Sequence, residues 1–264
     1  MTASIVGIGT WLPDAVRTND AWPESFVRRG HAQGDRTFND IPPSEDPVAQ
    51  ALVERHLAAE VTDPFLGASH RHVADASTTA VEAEANAALR ALRDADVAPA
   101  DVDLLLSYSV VPDRFQPTGP AVAHRIGAHR AHAVGIDTAC ASSIGQLEIA
   151  RAYVTAGLAK VVLLVQSHLL LRAMPFEHPA TPGLGDGASA MVVGRGPGLV
   201  LRGTFSHTLG EFAEAVTWLR GADAAADVSW WKAGCDLRVG SRAPAVAKAL
   251  MRDTVTYGVR TLRE

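Results

Sequence analysis

Gly135-Ile136-Asp137-Thr138-Ala139-Cys140-Ala141-Ser142-Ser143-Ile144-Gly145 is the stretch on which the reading of this chain turns. It closes an apolar run over residues 131–137 and opens a small-residue stretch that reaches residue 158. The pattern reads as strand, tight turn and helix, with the helix beginning at Cys140. A thiol in a first helical turn sits beside unpaired backbone N–H groups and the positive end of the helix dipole. Both favour the thiolate, which lowers the pKa and raises nucleophilicity. The small neighbours Ala139, Ala141, Ser142 and Ser143 leave room for an acyl chain to approach. A lone cysteine is more commonly buried and inert, and the spacing by itself leaves both readings open. An α/β-hydrolase elbow carries glycines two residues either side of its nucleophile; Thr138 and Ser142 stand there, which counts against it.

Outward from this segment, apolar runs alternate with helical spacing. Ser4-Ile5-Val6-Gly7-Ile8-Gly9 reads as a strand ending in the turn Gly9-Thr10-Trp11-Leu12-Pro13. Residues 14 to about 70 read as irregular, with helical spacing only over residues 47–60. A helix capped by Ser77 or Thr78 follows, placing Val81, Ala85, Ala88, Leu89 and Leu92 on one face. Strands are expected over residues 102–111, 131–137, 160–167 and 188–193, with helices over 117–126 and 140–158. Gly194-Arg195-Gly196-Pro197-Gly198 is the clearest joint. A strand restarts over residues 199–203, and residues 243–262 read as a terminal helix. Such alternation predicts an α/β fold with a mostly parallel sheet covered on both faces.

Composition narrows the function. The chain has 264 residues, 47% hydrophobic and 20% charged, which supports a filled core and excludes general disorder. A formal net charge of −5 argues against a nucleic-acid protein held by a basic surface. Two cysteines, Cys140 and Cys235, exclude a disulfide framework and a four-thiolate zinc site. The apolar run over residues 161–171 is broken by Gln166, Ser167 and His168 and is too short to span a bilayer. No signal peptide is read at the start, so a cytoplasmic protein is expected.

A second motif, Gly183-Leu184-Gly185-Asp186-Gly187-Ala188-Ser189-Ala190, precedes a strand. Glycines there allow close backbone approach. No Lys-Ser or Lys-Thr follows, so it is not a P-loop. Asp186 reads most simply as a turn residue bonding its own backbone. The pairs His70/His72 and His129/His132 lack the spacing and acids of a zinc site, and no metal is expected.

Together these residues resemble the β-ketoacyl-acyl-carrier-protein synthase III family of the thiolase superfamily. The matching pieces are Ile5-Val6-Gly7-Ile8-Gly9-Thr10-Trp11-Leu12-Pro13 with Thr18-Asn19, the helix over 77–95 leading into Asp101-Val102-Asp103-Leu104-Leu105-Leu106, and Pro112-Asp113. Asp137-Thr138-Ala139-Cys140-Ala141-Ser142, Lys160-Val161-Val162-Leu163-Leu164-Val165 and Gly185-Asp186-Gly187-Ala188 complete the set. Order and spacing agree over residues 75–195, whereas residues 20–70 depart from the family. The resemblance implies a thiolase-like fold: layers αβαβα, mixed and mostly parallel sheets, two similar βαβαβ halves. It implies that residues 1–195 are the half carrying the nucleophile, with 14–74 as an elaborated excursion, and that 196–264 begin an incomplete second half. It also implies a homodimer joined in part through the strand at 131–137.

For chemistry, the resemblance implies that Cys140 takes an acyl group from coenzyme A or acyl carrier protein and passes it to a malonyl-type extender by Claisen condensation. Transfer to a hydroxyl or amine, or a non-catalytic role beside an active homologue, are the alternatives. No cofactor is needed, the thioester being the substrate. The family's His in a His-Gln-Ala-Asn-like segment and its separate Asn have no counterpart in residues 195–264, where the single histidine is His207. Either the sequence is a piece of a longer one, a separate chain supplies that half, or the condensing groups have been shed. His168 and His178 are candidate pocket residues or bases. Trp22, Arg28, Arg29 and Arg36 are candidates to stack on and pair with the nucleotide end of coenzyme A. Gly185, Asp186 and Gly187 form a structural loop, and Arg125, Arg130 and Arg151 could meet an acidic carrier protein.

Overall fold

Gly7 and Gly9 on the first strand decide how closely a helix can lie on the sheet. In the computed structural model, which describes residues 2–39, 45–52, 54–55, 63–213, 217–220, 237–240 and 244–263, a Cβ added at Gly9 would stand 2.2 Å from the Ala87 carbonyl oxygen. One added at Gly7 would stand 2.5 Å from that of Ala91. Helix backbone therefore rests on strand backbone, which requires glycine on one side and alanine on the other.

The chain divides into two compact units: residues 1–16, 72–172 and 185–204, and residues 17–71, 173–184 and 205–264. The first unit is built on a six-stranded sheet. Its strands are β1 (Ser4–Trp11), β4 (Leu104–Ser109), β5 (His132–Gly135), β6 (Val162–His168), β7 (Gly187–Gly194) and β8 (Leu199–Val200), in the order β5-β4-β6-β7-β1-β8. β4 pairs in parallel with β5 and β6, while β6–β7, β7–β1 and β1–β8 are antiparallel. Four strands thus run one way and β7 and β8 the other. Helices α3 (Ala80–Asp94) and α4 (Gly119–Ile126) cover one face through Leu92, Val102, Leu105, Val122, Leu163 and Val192. Helix α5 (Ser142–Ala156) covers the other through Ala150 and Val154 against Leu104, Leu106, Val162 and Leu164.

Thr79, one residue beyond the two expected, caps α3 by accepting the Glu82 N–H at 3.1 Å. Leu89, placed by spacing on the inner face, is exposed. The buried arc is displaced toward Ala87, Ala91 and Glu84, because backbone contact with β1 favours small side chains over large ones. Glu84 lies at its centre with 0% exposure. Helix α5 ends at Gly157, whose φ of 75° suits the left-handed cap, and Ile144, Tyr153 and Leu158 remain exposed along and just beyond it.

The second unit differs from the irregular reading of residues 14–70. It contains α1 (Glu24–Asn39), sixteen residues long and not expected, while α2 (Pro47–Leu52) falls within the helical spacing read over residues 47–60. Pro23 and Glu24 are ordinary start signals, but Gly30, Gly34 and the sparse apolar residues concealed the helix. β2 (Val16–Thr18) pairs with β3 (His70–His72), and β9 (Thr217–Arg220) pairs antiparallel with β10 (Leu237–Gly240). Helix α6 (Pro244–Arg263) follows. Arg71 is buried here, reaching the Pro182, Phe65 and Ala68 carbonyls and the Asn19 side chain. Burial pushes its guanidinium below the usual value, with nearby Asp63 opposing the shift and Arg17 adding to it.

The Gly9 contact predicts a large and local mutational cost. Gly9→Ala is expected to lower unfolding free energy by about 3 kcal/mol in urea titration, because carbon meets carbonyl with no room to yield. Gly203→Ala, where a Cβ meets nothing within 4 Å, is expected to change it by less than about 0.5 kcal/mol. Equal effects at both positions would remove close packing as the cause.

Candidate functional site

The turn between β5 and α5 is knitted by its own side chains. Asp137 Oδ1 accepts the Ala139 N–H at 2.9 Å. Ser142 Oγ accepts the Thr138 N–H at 2.9 Å and donates to the Ala139 carbonyl at 2.7 Å. Ala139 is thereby held at φ +50°, a left-handed conformation that costs a residue with a Cβ about 1–2 kcal/mol. Cys140 follows directly. It lies in a 3-10 turn, Ala139–Ala141, and the α-helix starts at Ser142 rather than at Cys140 as the spacing suggested. The sharp turn consumes the first residues that regular spacing would have counted as helix. The thiol is exposed and in no disulfide.

Strand alternation supplies the neighbours. Leu104 and Leu106, with Val162 and Leu164, point into the core beneath α5. A period of two carries the same face on to Tyr108, Gln166 and His168. Tyr108 is directly paired with Gln166. Its phenol is pushed above the usual value by burial first, then by Asp137 and Cys140, which lie within electrostatic reach of it. Sequence reading missed Tyr108, for which the only signal was its place at a strand end on the face that α5 covers. His168 closes β6, and its Nδ1 lies 3.0 Å from the Gly185 carbonyl. A carbonyl only accepts, so Nδ1 is the donor in this contact, which leaves Nε2 as the ring nitrogen not engaged by it.

Asp186 does not act as the turn residue expected. Buried, it accepts the Ala74 N–H at 2.9 Å and the Leu171 N–H at 3.3 Å, and its own N–H donates to the His72 carbonyl at 2.8 Å. It ties two remote segments, residues 72–74 and Leu171, to its own loop instead of closing that loop. Gly185 thereby holds His168, and Gly187, paired with it across the strands, opens β7.

The coenzyme A candidates and His178 lie in the second unit, and the carrier-protein candidates Arg125, Arg130 and Arg151 in the first. Trp22 is 4% exposed and stacks on Phe176 with ring centroids 5.1 Å apart, while the Arg71 guanidinium lies 4.9 Å from its ring centroid. It is a core residue here, not an open stacking surface. Arg28 pairs with Glu24 at 2.7 Å and Arg29 with Glu177 at 2.6 Å. Arg36 lies on α1. His178 Nδ1 accepts the Ala180 N–H at 3.2 Å. Cys235 lies outside the described residues. Among the described residues no three His, Cys, Asp or Glu side chains cluster as metal ligands, and no helix is long and apolar enough to cross a membrane.

Comparison with known proteins bears on this geometry. The family model for 3-oxoacyl-[acyl-carrier-protein] synthase III matches residues 134–209, which include Cys140 and the Gly185–Gly187 loop. The β-ketoacyl-[acyl-carrier-protein] synthase III of Bacillus pumilus is 31% identical over 196 residues, covering 74% of this chain and 54% of that protein. The chain spans about half the length of the curated relatives it matches. The crystal structure of 3-oxoacyl-[acyl-carrier-protein] synthase III from Aquifex aeolicus is similar at TM-score 0.54 and 28% identity, covering 74% of this chain and 54% of that one. A priming β-ketosynthase of a polyketide biosynthetic pathway is similar at TM-score 0.63 and 20% identity, covering 96% and 67%. The fold is thiolase-like.

The left-handed residue before the thiol gives a direct test of strain in the turn. Ala139→Gly is expected to raise stability by about 0.5–1 kcal/mol in thermal unfolding, while the looser turn slows alkylation of Cys140. A loss of stability would mean that Ala139 carries no strain.

Proposed function

We propose that this relative of the β-ketoacyl-[acyl-carrier-protein] synthase III enzymes is an acyltransferase that loads an acyl group onto Cys140 from a coenzyme A or acyl-carrier-protein thioester. The observation that carries the reading is the exposed Cys140 in its strained turn, at the strand ends that bear Tyr108, inside the segment the family model matches. The Cys140 sulfur attacks the thioester carbonyl, the donor's carbon–sulfur bond breaks, and the donor leaves as a thiol carrying the proton. His168, whose Nε2 the Gly185 contact leaves unengaged, serves as the base that handles this proton. A cysteine nucleophile acting on an already activated thioester needs no cofactor or metal.

In the second step a malonyl-type extender loses carbon dioxide and its carbanion attacks the acyl-cysteine, as in fatty-acid or polyketide biosynthesis. That step needs donors to stabilise an enolate. The His and Asn that serve it in the family have no counterpart in residues 195–264; a continuation of this chain or a separate chain would supply them, and without them the reaction stops at simple transfer. The open edge of β5, four residues long, favours a homodimer paired through that strand. A cytoplasmic site of action suits acyl carriers and coenzyme A.

Intact mass spectrometry tests the first step. Incubation with acetyl- through dodecanoyl-coenzyme A is expected to give an acyl adduct that Cys140→Ala abolishes. An adduct without ketoacyl product from a malonyl donor would assign simple transfer to oxygen or nitrogen. No adduct with any donor would leave a non-catalytic partner subunit as the reading.

A further inference from the structure

On the sheet face opposite the thiol, a carboxyl lies buried at the strand ends that carry Tyr108 and His168. Ser109 and Ser167 are paired across β4 and β6, and alternation turns both toward α3. Ser167 Oγ lies 2.7 Å from Glu84 Oε1 and 3.0 Å from Ser109 Oγ. Oε2 of Glu84 and the Thr118 hydroxyl are buried without well-formed hydrogen bonds, although Thr118 is close enough to favour the Glu84 anion. The backbone carries this junction to the thiol. Val110 N–H donates to the Ser167 carbonyl at 3.1 Å, and Ile136 N–H donates to the Ser107 carbonyl at 2.9 Å. Ile136 directly precedes the Asp137–Ser142 turn.

We propose that Glu84 is a positioning residue for Cys140, clamping through Ser167 and Ser109 the strand ends that place Tyr108, His168 and the nucleophile's turn. This rests on Cys140 being the reactive thiol, but not on the identity of its acyl donor. Burial pushes the Glu84 carboxyl from 4.5 up to about 7. The Thr118 and Ser167 hydroxyls oppose that rise, as does Arg114, while Asp113 adds to it. The folded value lies above the unfolded one, so the stability lent by the neutral buried carboxyl is full in acid and falls as pH rises through about 7, even though the Ser167 hydrogen bond itself favours the anion. An ionised Glu84 also adds a like charge behind the thiolate, and both effects slow the thiol.

The test uses the full chain carrying Cys235→Ser, which leaves Cys140 as its single cysteine. Iodoacetamide alkylation is followed by intact mass from about pH 5.5 to about pH 9, with thermal unfolding measured in parallel. The parent is expected to show an inflection near pH 7 besides the thiol's own ionisation. Glu84→Gln, which keeps the acceptor for Ser167 but cannot ionise, is expected to lose that inflection and react about threefold faster at about pH 8. Ser167→Ala removes one stabiliser of the anion and is expected to move the inflection to higher pH; it carries the test if Glu84→Gln does not fold. Superimposable profiles in folded variants, even with lowered melting temperatures, would reduce Glu84 to a structural role. Acyl transfer enters none of these readings, so failure to load an acyl group overturns the proposed activity and not the clamp.

Discussion

The contact between the backbone of β1 and that of α3 governs the first unit. With Gly7 and Gly9 on one side and Ala87 and Ala91 on the other, the helix sits closer to the sheet than side chains normally allow. Depth follows from that approach. A side chain at the middle of the helix is driven fully out of water, and the one found there is a glutamate. A carboxyl so placed must be protonated or hydrogen-bonded, and the serines at the ends of β4 and β6 answer that need. The other face of those strands carries the thiol's neighbours, so helix packing and site geometry are one problem.

Much of this was legible in the chain. Every strand of the six-stranded sheet overlaps a predicted run, with β1, β6 and β7 extending one or two residues beyond theirs, because buried strands announce themselves as short apolar blocks. The turn that carries Cys140 was legible for the same reason, as small residues after such a block. Its internal geometry was not. Regular spacing counts residues but cannot register that Ala139 turns left-handed, and the helix therefore starts at Ser142. Glu84 was hidden by the opposite difficulty, since a charged residue in an amphipathic helix ordinarily marks the wet side.

Partners distant in sequence explain the remaining differences. Asp186 is a turn residue by every local rule, yet its hydrogen bonds reach Ala74, Leu171 and His72. Trp22 carries the chemistry of a stacking platform, and its ring is already covered by Phe176. Tyr108 carries no motif and comes within electrostatic reach of Cys140 because alternate residues of one strand share a face. Residue type proposed the chemistry, and the fold decided which side chains were available for it.

The strand order has a consequence for biosynthesis. β1 is made first, but its sheet neighbours β7 and β8 are among the later strands, at residues 187–194 and 199–200. At roughly 5–20 residues per second the nascent N-terminus waits on the order of ten seconds or more on the ribosome before it can join the sheet. Late in that interval Cys140 leaves the exit tunnel ahead of Asp186, so its thiol is out before the clasp that organises the neighbouring loop. Oxidants and misfolding have their best opportunity then, so translation speed after residue 140 becomes a determinant of how much competent protein a cell obtains.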